Sequence, residues 1–277
     1  MTDSLPGPAE PAAEAAPRGT PAEVAVPGSR STLRPGAVNL LGPLSVPGLR
    51  SRPVRIYLPN PRPSRALVLF DGQNVFGDEP SYAGGWHVHL AVERLARRGR
   101  PAPVVIGVDH GGVERLRELS PFPLDGEAGQ LDLILDWLTG TLLPLLGFEL
   151  GLAAGPAGVL VGGSSLGGLA AFYAHWTHPE TFGGALVMSP SFWLGDGAVF
   201  PVIAERPVPP VSRIYLDAGA KEDRGRLLPT VARMSEHLRR RGYGDDRLLF
   251  RQDARGAHNE LSWRRRLPGA LRFLLGP

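Results

Sequence analysis

The sequence predicts an α/β protein in which a mostly parallel central sheet is covered by helices on both faces. Three observations carry that expectation. Short continuous apolar runs, the pattern of strands buried on both sides, recur through the chain. Stretches with helical apolar spacing lie between them, in the alternation that builds parallel sheets. Midway, residues 161–172 read VGGSSLGGLAAF, a glycine-rich bend joining a strand-like run to a helix-forming one.

Residues 1–35 are rich in Pro, Ala, Gly and Glu and lack apolar periodicity. Such a composition cannot bury enough surface to offset the entropy of ordering, so a disordered tail is expected there. Residues 36–277 contain no repeat and no linker and read as one domain. Strands are expected at 54–58, 66–70 and 104–108, with a helix over 86–98 on the spacing of Val88, Ala91 and Leu95. Residues 131–146 have a helical pattern that Pro144 should kink or end, because proline has no N–H and crowds the preceding turn. A short strand at 159–161 enters the bend and a helix continues over 170–176. Strands at 185–188, 214–216 and 248–250 follow, with helices over 228–241 and 262–275.

Composition excludes several classes. The 277 residues contain no cysteine, which rules out disulfides and thiol chemistry and fits a cytoplasmic location. No apolar run is expected to reach the ~20 residues that span a bilayer. The N-terminus lacks the charged segment and apolar core of a secretory signal, and no membrane partner is expected. The net charge of +3 is mild for this length, and the basic residues are nearly all arginine, Lys221 being the single lysine. Arginine clusters at 239–241 and 264–266 fall on expected helices and read as solvated faces. No stacking platform accompanies them, so no nucleic-acid partner is expected.

The bend fits one of three templates. A phosphate loop would need Lys and Ser or Thr where this chain has Gly168 and Leu169. A dinucleotide turn would need a different glycine spacing near the start of a βαβ unit. G-x-S-x-G is met by Gly163, Ser165 and Gly167. A nucleophile elbow forces its serine into sparsely allowed backbone space, so the residues two positions to either side must be small. That requirement selects Ser165 over Ser164, whose neighbour at that spacing would be Leu166. The helix start after Ser165 offers free N–H groups to an oxyanion.

A serine hydroxyl needs a base, and the base needs an orienting carboxylate. In the order Ser…acid…His, the histidine belongs after the last strand, where His258 stands in GAHNELSW. His87 and His89 lie in the early helix on different faces and make a poor metal pair, so no metal or other cofactor is expected. His110, His175, His178 and His237 stand elsewhere in the order. For the acid, Glu222 in the loop AGAKEDRG is the first choice, Asp223 the second, and Asp217, still within the strand, the third. A second oxyanion donor is expected from LFDGQNVF, where the N–H of Gln73 can pair with that of Leu166.

These residues belong to a longer series of motifs: DGQNVFGD, GGW, VDHGG, Arg115 with Glu118 and Pro121, GGSSLGG, HPETFGG, SPSFW, GAKED and GAHNELSWRRRLP. From about residue 50 onward their order resembles the Putative esterase family, which includes enterochelin esterase-like, feruloyl esterase-like and S-formylglutathione hydrolase-like proteins. The resemblance implies an α/β-hydrolase fold and metal-free hydrolysis of a carboxylic ester. The chain has no insertion long enough for a large lid, which fits an open cleft for a small soluble ester. The resemblance places Ser165 as nucleophile, His258 as base and Glu222 as acid. It further implies that Asp71 and Asn74 lie beside the oxyanion hole and that Trp193 lines the substrate pocket. Two departures stand out: Glu222 replaces the aspartate of many relatives, and DGQN differs from the S-formylglutathione hydrolase loop.

Overall fold

A computed structural model describes residues 33–59, 65–81 and 84–276. The tail expected over 1–35 lies outside them up to residue 32. Eight strands form one sheet: β1 (Val38–Val46), β2 (Leu49–Tyr57), β3 (Ala66–Phe70), β4 (Val104–Val108), β5 (Val159–Ser164), β6 (Gly184–Met188), β7 (Arg213–Gly219) and β8 (Leu248–Asp253). Their spatial order is β1-β2-β4-β3-β5-β6-β7-β8. The ladder from β4 to β8 is parallel, while β2 runs antiparallel to both β1 and β4.

Side-chain alternation along the central strands feeds two cores. Ala66, Val68 and Phe70 face one, which the helices Leu166–Thr177 and Leu227–Arg240 and the apolar helix Leu131–Leu150 cover. Leu67 and Leu69 face the other, beneath the helices Val88–Ala96 and Glu260–Leu275. Both faces being buried explains why these strands read as unbroken apolar runs.

Three expectations need correction. Strand β1 was not expected: Gly42 and Pro43 interrupt its pattern, and as an edge strand it leaves Leu40 60% exposed. Pro144 does not end its helix, which runs on to Leu150. A wider π turn over Leu138–Leu142 precedes the proline and places it in the first turn of the next segment, where its missing N–H costs nothing. The resulting 20-residue helix is, by length and composition, able to cross a membrane, contrary to the expectation. Its Leu131, Ile134, Leu135, Leu138, Leu142 and Leu146 are nevertheless packed in the core.

A buried ion pair fixes one loop of the site. Arg52 on β2 forks onto Glu118 with two 3.0 Å hydrogen bonds, and Glu118 Oε2 accepts the N–H of Gly111 at 2.7 Å. The segment following β4, with His110 and Arg115, is thereby tied to the sheet.

Candidate active site

The chemistry-bearing residues gather at the carboxyl ends of the parallel strands, where open α/β sheets hold their ligands. Asp71 follows β3, His110 follows β4, Ser165 follows β5, Ser189 follows β6, Glu222 follows β7 and His258 follows β8.

Ser165 has φ 56° and ψ −121°, a conformation rare outside glycine. Its backbone is held there from several sides. Its N–H donates to Met188 O at 2.9 Å, and its carbonyl accepts from Gly168 N, Leu169 N and Ser191 N at 3.0–3.1 Å. A Cβ on Gly163 would lie 2.4 Å from the Gly167 backbone, and one on Gly167 would lie 3.0 Å from Asp71 Oδ2. Gly163 is therefore required by contact as well as by pattern, and Gly167 is tightly enclosed.

His258 Nε2 is 2.8 Å from Ser165 Oγ, and Nδ1 is 3.2 Å from Glu222 Oε2. The histidine loop is fixed by the start of the closing helix. Asn259 caps it by accepting from Ser262 N at 3.0 Å, and Ser262 Oγ accepts the N–H of Ala257 at 3.1 Å. The Trp263 ring stands edge-on to the imidazole at 5.1 Å and 82°.

Glu222 is buried. Its Oε1 accepts from Ser189 Oγ at 2.8 Å, from Gly219 N at 3.0 Å and from Arg266 at 3.4 Å. Burial alone would raise its carboxyl, but hydrogen bonds from His258 and Ser189 and the charge of Arg266 outweigh that, and the net shift is downward. Asp223, the second choice from sequence, is half-exposed and paired with Arg226 at 2.7 Å, away from His258. Its left-handed φ of 43° turns it out of the site. Asp217 is fully buried but bonds Ser189 N and Tyr215, not the histidine.

Leu166 directly follows Ser165, and Gln73 lines the cleft over the serine. Leu166 is the first residue of the helix Leu166–Thr177, so its N–H has no partner within that helix. Gln73 follows Asp71, whose φ of 58° turns the chain sharply after β3. A cleft of about 530 Å³ opens over Ser165 and His258, lined also by Asp71, Asn74, His110 and Arg115 and by Glu260 and Trp263. Asp71 forks onto Arg115 at 2.6 and 2.7 Å, and Asn74 donates to Glu260 at 3.4 Å. Burial holds His110 neutral by lowering its pKa, and its Nδ1 accepts from Gly112 N at 2.9 Å.

Trp193 does not line this cleft; it is 57% exposed at the start of a short helix after β6. Trp263 lines it instead, and the spacing of GAHNELSW, a capped helix start just after His258, was the signal for it. His110, Arg115 and Glu260 are further cleft residues that the motif reading did not assign. The place of His110 directly after the buried strand β4 was the available clue. Among the described residues no three potential metal ligands cluster. His87 instead bonds Asp78 at 2.8 Å.

The family described as Putative esterase matches residues 49–274. The chain belongs to that family. A curated relative, the iron(III) salmochelin esterase of Escherichia coli O6:H1 (strain CFT073), is 31% identical over 154 residues, covering 52% of this chain and 33% of that protein. The chain thus matches about a third of that relative's length. The enterobactin esterase FES of Shigella flexneri superposes with a TM-score of 0.64 at 25% identity, over 81% of this chain and 56% of the other. The BES protein of Bacillus cereus shares the fold at 21% identity and a TM-score of 0.67, over 87% and 95% of the two chains.

Proposed function

We propose that this member of the Putative esterase family is a serine carboxylic-ester hydrolase working through an acyl-enzyme. The observation that carries the reading is the unbroken contact chain from Ser165 Oγ to His258 and on to buried Glu222. With the Glu222 carboxylate accepting from Nδ1–H, the Nε2 lone pair faces the serine and can take its proton. Ser165 attacks the ester carbonyl, and the oxyanion is met by the N–H groups of Leu166 and Gln73. His258 then protonates the leaving alkoxide. Water, deprotonated by His258, attacks the acyl-enzyme, and collapse of the second tetrahedral species returns Ser165.

The family match and the relatives named as salmochelin and enterobactin esterases support ester hydrolysis. The cleft's volume suits a small-molecule ester, and its mixture of Arg115, His110, Asn74 and Glu260 suits a polar one. Ser165→Ala should abolish hydrolysis of p-nitrophenyl acetate and labelling by a fluorophosphonate; retained turnover would overturn the reading. Glu222→Gln should lower kcat by up to about 10⁴-fold, as expected when the imidazole loses its orienting carboxylate. Asp223→Asn, away from the histidine, should stay near wild type in the same assay.

A further inference from the structure

The closing helix sends one side chain back beneath the reacting groups. Arg266, in a cluster whose sequence reads as a solvated face, has only 7% of its side chain exposed. Its Nη2 donates to Ser189 Oγ at 2.8 Å, and Nη1 and Nη2 both lie 3.4 Å from Glu222 Oε1. Nε stands 2.9 Å from Asp217 Oδ2, and Nη1 stands 3.7 Å from Asp253 Oδ2. Ser189 closes the circuit. Its hydroxyl accepts from Arg266 and from Trp263 Nε1 at 2.9 Å, and donates to Glu222 Oε1. Ser189 itself is held at a left-handed φ of 45°, with its N–H donated to the Asp217 carbonyl at 3.0 Å. Strain of this kind persists only where surrounding bonds over-determine it.

Ser189 Oγ, Gly219 N and the two terminal nitrogens of Arg266 converge on Oε1 of Glu222 and leave Oε2 for the histidine. The arrangement answers a problem that the glutamate creates: its side chain has one more rotatable bond than aspartate, and that freedom must be removed before it can aim an imidazole. We propose that Arg266, acting together with Ser189, is a positioning residue of the site, clamping Oε1 of Glu222 so that Oε2 is directed at His258. The proposal rests on the Ser165–His258–Glu222 reading given above.

The competing role is that of a rivet joining the closing helix to β7 through Asp217. The charge distribution favours the clamp. Burial pushes the Asp217 carboxyl up to about 7 in spite of Arg266, whereas the Glu222 carboxyl is shifted down. The geometry agrees: Arg266 Nε, although close to Asp217, makes no hydrogen bond, whereas Nη1 and Nη2 donate to Glu222 Oε1 and Ser189 Oγ. The fork is needed as well, since a single ammonium cannot reach Ser189, Glu222 and Asp217 together.

A double-mutant cycle in the full chain tests the clamp: Arg266→Lys, Glu222→Gln and the pair, followed by p-nitrophenyl acetate turnover across pH. Arg266→Lys should lower kcat about 10²-fold, the cost of a misplacement near 1 Å, with little change in KM. The groups facing His258 are Glu222 and Glu260, with Arg266 behind Glu222. Weakening the Glu222 contact removes support for the imidazolium, so the acid limb of kcat/KM should move to lower pH. Added to Glu222→Gln, the arginine substitution should cost nothing more, because the partner it acts through is already lost. Should Arg266→Lys fail to fold by thermal melting, Ser189→Ala enters the same cycle with the arginine charge intact. A folded variant with unchanged kcat and an unmoved acid limb, or an equal loss in both backgrounds, makes Arg266 a rivet and overturns the proposal. Retained turnover in Ser165→Ala would instead remove the esterase reading, whatever the cycle gives.

Discussion

Ser165 is held in a backbone conformation that most serines avoid, and the cost is borne by four backbone hydrogen bonds from β6, from the helix it opens and from Ser191. The two glycines beside it let β5 and that helix approach closely enough for those bonds to form. A methyl at position 163 would meet the Gly167 backbone at 2.4 Å, and backbone cannot rotate aside as a side chain can. Gly163→Ala should therefore force strand and helix apart, costing about 1–3 kcal/mol, the usual range for overpacking a tight contact. Turnover should fall with it, because the serine is aimed by the same corner. A thermal melt with an activity assay checks this; a variant that keeps both wild-type values would show that the corner has slack.

At the level of elements, the strands buried on both faces and the elbow were legible because each imposes its own pattern: continuous apolar runs, and small residues two positions from a serine. What the pattern could not convey was anything decided by partners distant in sequence. Edge strand β1 is half exposed because one side faces water, and its Gly42 and Pro43 resemble a loop. Pro144 reads as a stop because sequence gives no sign of the π turn that absorbs it. Arg266 reads as surface charge because its partners Asp217, Glu222 and Ser189 come from other segments. Glu222 and Asp223 share one loop in the sequence, and the structure separates them by burial and by the left-handed turn at Asp223. Elements also carry function through their ends. Asn259 caps the helix Glu260–Leu275 directly beside His258. Asn259→Ala should cost about 1 kcal/mol, as loss of a helix cap does, and should lower kcat more than KM, because the freed helix start loosens the imidazole. Unaltered kcat in a measurably destabilised variant would separate the cap from the catalytic geometry.

Over the whole molecule, two buried titratable groups pull stability in opposite directions as pH changes. Asp217, at the carboxyl end of β7, is raised from 3.8 to about 7, chiefly by burial. His175 lies buried in the helix after the elbow, bonded to Phe182 O and Ser212, and is lowered from 6.5 to about 4, again chiefly by burial. Between pH 3.8 and 7 the folded state keeps the Asp217 proton that the unfolded chain has lost, so this group's contribution declines as pH rises. Between pH 6.5 and 4 the unfolded chain takes up a proton that buried His175 refuses, so this contribution declines as pH falls. Within the shared window the two slopes oppose each other, and their effects are concealed in the wild-type protein. Substitution exposes each in turn. The difference in melting temperature between Asp217→Asn and wild type should grow in the variant's favour from pH 4 to pH 7. The corresponding difference for His175→Gln should be most favourable to the variant at pH 4 and shrink toward pH 6.5. Melting curves in matched buffers over that range decide it: differences independent of pH would mean that both groups titrate in the folded protein as they do in the unfolded chain.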